Sequence, residues 1–139
     1  MDRDELKISA KIENLDQVKE FVLSRLEEAG FGMRQLLQVE LAVEEIFSNI
    51  TSYAYHPEDG DAWIGCHVEN GEPVRAVIEF MDAGTPYNPL NKEDPDITLS
   101  AEEREIGGLG IFLTKKQMDS LEYKYEDGKN ILLITKKME

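Results

Sequence analysis

Glu40-Leu-Ala-Val-Glu-Glu45-Ile-Phe-Ser-Asn49 sits inside a longer apolar pattern in which Leu36, Val39, Val43, Ile46, Phe47, Ile50 and Ala54 recur at helical spacing. That periodicity predicts a helix over about 34–55, ended by His56-Pro57 and Asp59-Gly60. Glu45 and Asn49 stand four apart and share one face of it, bordering the apolar stripe without lying in it. A carboxylate beside a carboxamide suits a hard cation or the positioning of water: Asn offers Mg²⁺ a neutral oxygen, and Glu accepts a proton or orients a nucleophile. On charge pattern alone, a solvated helix face explains Glu40, Glu44 and Glu45 equally well.

Upstream, residues 5–12 alternate, with Leu6, Ile8, Ala10 and Ile12 facing one way and Lys7, Ser9 and Lys11 the other, as in a half-buried strand. Asn14 with Gln17 reads as a capping box for a helix that runs through Leu15, Val18, Val22 and Leu26 to a C-cap at Gly30. Downstream, Ala62, Ile64, Cys66 and Val68 alternate up to Asn70-Gly71, and Val74, Ala76, Ile78 and Phe80 alternate down to Asp82, predicting a tight hairpin. A second hairpin pairs Leu121, Tyr123 and Tyr125 with Ile131 to Thr135 around Asp127-Gly128, and a shorter helix over about 109–119 lies between the two. Residues 83–107 carry Gly84, Pro86, Pro89 and Pro95 and fit neither period; loops that long are usually functional lids or disordered. This element order predicts an α+β two-layer sandwich, a mixed, mainly antiparallel sheet with about three helices on one face, forming a single domain over 1–139.

The chain has 139 residues, 41% of them hydrophobic and 32% charged, enough apolar material for one core and too much for a disordered acidic tail. Its 29 acidic and 15 basic residues give a net charge of −14, which argues against direct binding to nucleic acid or to an anionic membrane surface. No apolar run approaches the roughly 20 residues of a membrane span, and the first residues lack a cationic region followed by an apolar one. The single Cys66 excludes an internal disulfide framework and a Cys-rich zinc site, and its place on the inward side of its strand predicts a buried, inert thiol. His56 and His67 lack metal-ligand spacing. A soluble cytoplasmic domain is the expectation.

Two further motifs bear on function. Asp82-Ala83-Gly84-Thr85-Pro86 marks a strand end where a carboxylate can accept a hydrogen bond from a ligand amine and a glycine permits close approach, although a plain turn has the same composition. Gly107-Gly108-Leu109-Gly110 opens the short helix, whose N-terminus offers unpaired N–H groups to phosphate; a flexible hinge would look alike. The motif is neither a P-loop nor a dinucleotide fingerprint.

Taken in order, helix Glu-x-x-x-Asn, strand-end Asp-x-Gly, a long loop and Gly-x-Gly at a helix start, these elements resemble the nucleotide-binding boxes of the Bergerat-fold (GHKL) ATP-binding superfamily. Glu40 to Asn49 and Gly107 to Asp119 resemble the RsbW-type anti-sigma-factor serine/threonine kinases in particular, and the likeness spans roughly Leu6 to Lys137. The resemblance implies Glu45 as catalytic base, Asn49 as Mg²⁺ ligand, Asp82 as the recogniser of the adenine amine with Gly84 beside it, and Gly108 and Gly110, supported by Gly107, as phosphate contacts. Residues 85–106 correspond to an ATP lid, from which Arg104 could reach the terminal phosphate or instead pair locally with Glu102, Glu103 and Glu105; Lys115 could reach it from the helix, although an exposed, solvated lysine fits its position better. ATP and Mg²⁺ are the implied cofactors. A sigma factor and an anti-sigma-factor antagonist are the implied partners, and a homodimer is the assembly common among such relatives. Tyr53 stands where many relatives have histidine, and Ile106 where some kinases have a polar or basic residue. These departures point to the alternative of a non-catalytic, nucleotide-gated adaptor.

Overall fold

The computed structural model describes residues 4–55, 58–91 and 108–139. Five strands, β1 (Asp4–Ser9), β2 (Asp61–Glu69), β3 (Arg75–Asp82), β4 (Ser120–Glu126) and β5 (Lys129–Lys137), form one sheet in the order β1-β2-β3-β5-β4. Every pairing among the described residues is antiparallel, so the parallel component allowed for in a mixed sheet is not seen there. Three helices, α1 (Leu15–Ala29), α2 (Met33–Asn49) and α3 (Gly108–Gln117), form the second layer, with α2 in contact with both others.

Alternation explains the layering. The inward positions Ala62, Ile64 and Cys66 of β2, Ala76, Ile78 and Phe80 of β3, and Leu132 and Ile134 of β5 are buried. They meet Val18, Val22 and Leu26 of α1 and Val39, Val43, Ile46 and Phe47 of α2 in one core. Burial pushes the Cys66 thiol up to about 11, which keeps it protonated and inert as the strand pattern predicts. The buried Lys136 donates to the Gln117 carbonyl at 2.6 Å, placing a cation at the C-terminus of α3 and fastening that helix to the sheet.

Local chemistry departs from the sequence pattern in three places. Asn14 does not cap α1: a 3₁₀ turn, Ile12–Asn14, already carries it into near-helical backbone, and its side chain donates to the Ser9 carbonyl at 2.9 Å instead. The same turn takes Ile12 off the strand and leaves it exposed. The Asn70-Gly71 connection is not a tight turn; it spans 70–74, contains a cis Glu72–Pro73 bond, and has no positive φ. At the second hairpin, Asp127 and Gly128 do adopt positive φ, 53° and 76°, as a two-residue turn requires. Gly30 likewise closes α1 in the left-handed conformation, as its position in the sequence predicts.

The third departure shapes the site. The helix predicted to reach Tyr55 is α-helical only to Asn49 and then widens into a π-helical turn, Ile50–Ala54. Thr51 Oγ1 donates back to the Ser48 carbonyl at 2.8 Å, and the Ala54 carbonyl accepts from the Thr85 N–H at 2.7 Å. The helix end is thereby tied to the loop that leaves β3. Such π turns are concentrated at functional sites.

Candidate functional site

A pocket opens between the end of α2, the end of β3 and the start of β5. Asn49, Tyr53, Asp82, Thr85, Tyr87, Tyr123 and Asn130 supply its polar and aromatic lining. Ile46, Ile50, Ala54, Phe80, Pro89 and Leu132 make the rest apolar. A largely apolar pocket with a few convergent polar groups is the usual form of a small-molecule site.

Asp82 ends β3 facing inward and is 5% exposed. Burial pushes its carboxyl above the ordinary carboxylate range, while the N–H donors of Asn130 and Gly84 pull the other way. Both donors fall on Oδ1, each at 2.9 Å, so Oδ2 is the oxygen with capacity for a ligand N–H. Gly84 follows where the chain crosses the π turn: a Cβ there would overlap the Ala54 backbone, so only glycine lets the two main chains meet. Tyr55 braces the same corner, its hydroxyl donating to the Asp61 carbonyl at 2.6 Å and accepting from the Ala83 N–H at 2.8 Å.

Asn49 lines this pocket from α2, and its buried side-chain Nδ2 has no hydrogen-bond partner among the described residues. A buried amide without a partner is costly in a finished interior and reasonable at a ligand site. Rotation of the carboxamide exchanges its oxygen and nitrogen, so the residue suits Mg²⁺, which typically takes one or two protein oxygens and completes its shell with phosphate and water. The donor set therefore fits the metal implied by resemblance.

Glu45, one turn before Asn49, lies on an adjoining open groove with Leu41, Glu44 and Ser48 of α2 and Gly110, Leu113, Thr114 and Gln117 of α3. A Cβ at Gly110 would overlap the Glu45 carboxylate, so the missing side chain is what lets the carboxylate rest against α3. Gly108 opens α3. Gly107, Arg104 and Ile106, most of the segment corresponding to a lid, and His56 lie outside the described residues. Lys115 lines a different groove, with Leu90, Met118, Asp119, Ser120 and Leu121, rather than the one beside Glu45. His67 pairs with Glu69 at 3.3 Å. Among the described residues no group of three or more His, Cys, Asp or Glu could hold a metal by itself, and no helix is long and apolar enough to cross a membrane.

The motifs therefore converge: Asn49 and Asp82 share one pocket, and Glu45 and Gly110 share the groove beside it. Asn130, Tyr123 and Tyr55 carry no motif. Asn130 did leave one signal, as a polar residue at an inward position of a strand whose next two inward positions, Leu132 and Ile134, are apolar.

The sequence model of the histidine kinase-like ATPase domain matches residues 8–136. Similar proteins include the anti-sigma F factor of Clostridium acetobutylicum, 29% identical over 96% of this chain and 91% of the relative. They also include the serine/threonine-protein kinase BtrW of Bordetella bronchiseptica, 30% identical over 76% and 72%, and the serine-protein kinase RsbW of Listeria innocua, 26% identical over 76% and 68%. The fold matches a crystal structure of the RsbU and RsbW domains of a Mycobacterium tuberculosis protein, with a TM-score of 0.67 and 14% identity, covering 99% of this chain and 33% of that one.

Proposed function

The chain belongs to the histidine kinase-like ATPase domain family, and from that premise we propose that it is an ATP-binding anti-sigma-factor regulator that phosphorylates an antagonist protein on serine or threonine. The observation that carries the catalytic part is the juxtaposition of Glu45 and Asn49, one turn apart on α2, with the Glu45 carboxylate against Gly110 and open to a surface groove. A protein hydroxyl can approach through that groove while nucleotide occupies the neighbouring pocket.

The roles follow from the chemistry. Asp82 accepts the exocyclic amine of adenine, and the apolar walls of the pocket take the face of the ring. Asn49 holds Mg²⁺, which neutralises phosphate charge when bound. Backbone N–H groups at the start of α3, at Gly108 and Gly110, receive the phosphates. Glu45 orients the attacking hydroxyl and takes its proton; the oxygen–γ-phosphorus bond forms as the bond to the β-phosphate oxygen breaks, leaving ADP and a phosphoserine or phosphothreonine. In the other half of its cycle the protein sequesters a sigma factor. Arg104 and residues 85–106 act as a lid over the nucleotide, and the protein works in the cytoplasm.

The test is transfer of labelled phosphate from ATP to a candidate antagonist. The native chain should label it, and Glu45→Gln should lose labelling by at least about a hundredfold while still binding ATP. ATP bound and recovered intact after long incubation, with no labelled protein, would favour the nucleotide-gated adaptor, the alternative that Tyr53 at the pocket mouth raises.

A further inference from the structure

We propose that Asn130 is the positioning residue for nucleotide recognition: its carboxamide sets the Asp82 carboxylate toward the base and fixes the first residues of the loop, 85–87, around the same ligand. The inference rests on the reading of Asp82 as the adenine contact.

Asn130 is the second residue of β5, 7% exposed, directly across the sheet from Asp82. Its Nδ2 donates to Asp82 Oδ1 at 2.9 Å and to the Thr85 carbonyl at 3.0 Å. Its Oδ1 accepts from the Tyr87 N–H at 3.0 Å and from the Tyr123 hydroxyl. A carboxamide has two donors and two acceptor sites, and all four are used. The orientation of the amide is fixed by its surroundings. Turned over, the oxygen would face a carboxylate and a carbonyl while the NH₂ faced the Tyr87 N–H. One side chain thus joins the end of β3, the departing loop, β4 and β5.

Two consequences bear on the ligand. The bond to Oδ1 is shared with the Gly84 N–H, which leaves Oδ2 as the oxygen for the base amine. The bond to the Tyr87 N–H holds a residue whose ring sits 5.1 Å from that of Tyr53, tilted by 33°, in the lining of the same pocket. No other single side chain supplies both donors and both acceptors at this reach: Ser or Thr has one donor, and Asp would set a second carboxylate against Asp82.

The test is a binding comparison, by calorimetry on the full chain with excess Mg²⁺, between ATP and purine riboside triphosphate, which lacks the exocyclic amine. The native chain should prefer ATP by about tenfold to a hundredfold, the range of a hydrogen bond to a charged group. Asn130→Leu keeps the shape of the side chain and removes its hydrogen bonds; Asn130→Ala removes the same donors without added bulk, in case the first fails to fold. The preference should fall to within about threefold in whichever variants fold. A purely structural role would weaken both nucleotides equally and keep the native ratio, which would overturn the proposal. Asp82→Ala separates the layers. If it abolishes the preference while the Asn130 variants keep it, the proposal alone fails. If the native chain shows no preference, or Asp82→Ala retains it, the adenine reading fails and the proposal with it.

Discussion

At the scale of single residues, the site is built from one buried carboxylate and two places where a side chain is missing. Ionising Asp82 has a cost, because burial raises its titration above the ordinary value of 3.8 against the pull of two N–H donors. For a carboxyl raised on folding, stability is full below the unfolded value and falls as pH rises through the folded value. Asp82→Asn keeps an oxygen for the Asn130 and Gly84 donors and removes the buried charge. It should therefore melt higher than the native chain at pH 7, and the difference should close as pH is lowered through the Asp82 titration toward 3.8. The same variant should bind ATP at least about tenfold more weakly, since the amine loses a charged acceptor. Melting curves across pH beside one titration at neutral pH check both halves; a variant no more stable than native at pH 7 would count against the desolvation argument. Gly110→Ala makes a complementary case. The atoms nearest the added methyl belong to the Glu45 side chain, which can shift, so the fold should lose less than about 1 kcal/mol, but the carboxylate must move. Phosphate transfer should drop at least about tenfold, which is 1.4 kcal/mol in the barrier.

At the scale of elements, the sequence foretold most of what repeats and little of what bends. The strands, α1, the Gly30 cap and the Asp127-Gly128 turn were legible because each is set by a local period or a local backbone preference. The end of α2 was not, because Ile50 and Ala54 continue the helical apolar pattern and nothing local in Thr51-Ser52 marks the widening into a π turn. That turn is held by a partner 31 residues away, the Thr85 N–H on the Ala54 carbonyl. The Asn130 hub was hidden for the same reason: its four partners lie on three other segments, and only their convergence gives it a role. Glu45, Asn49, Asp82 and Gly84 stood out only together, as an ordered set of motifs that resembles a family's nucleotide-binding boxes; singly, each read equally well as a solvated face or a turn. Two glycines separate the local from the long-range effect. Gly128→Ala strains a backbone at φ 76° with open space around it, so it should cost about 1 kcal/mol in denaturant unfolding and leave ATP affinity unchanged. Gly84→Ala would drive a methyl into the main chain of the π turn, which cannot yield as a side-chain tip can. It should cost about 1–3 kcal/mol and weaken ATP binding as well, by displacing Asp82 from Ala54 and Asn49.

At the scale of the whole molecule, the net charge of −14 poses a question that the site answers. A strongly anionic protein that binds an anionic nucleotide needs its attraction to be local, and on the proposed reading it would come from backbone N–H groups at a helix start and from Mg²⁺, neither of which requires a basic surface. The remaining acid then acts at a distance, with opposite signs for two ligands. If the proposed sigma-factor partner meets DNA through basic surfaces, an acidic regulator would compete for them by charge complementarity. Salt screens both interactions over a Debye length of about 10 Å at 0.1 M. Raising monovalent salt from about 50 to 500 mM should therefore slow association with the sigma factor by about tenfold or more, because steering is lost. Over the same range, with free Mg²⁺ in excess, ATP association should hold steady or quicken, because what is screened there is repulsion between the nucleotide and the surface. Stopped-flow measurement of both rates across one salt series gives the comparison. Two slopes of the same negative sign would mean that a cationic patch, rather than the helix start and the metal, draws the nucleotide in.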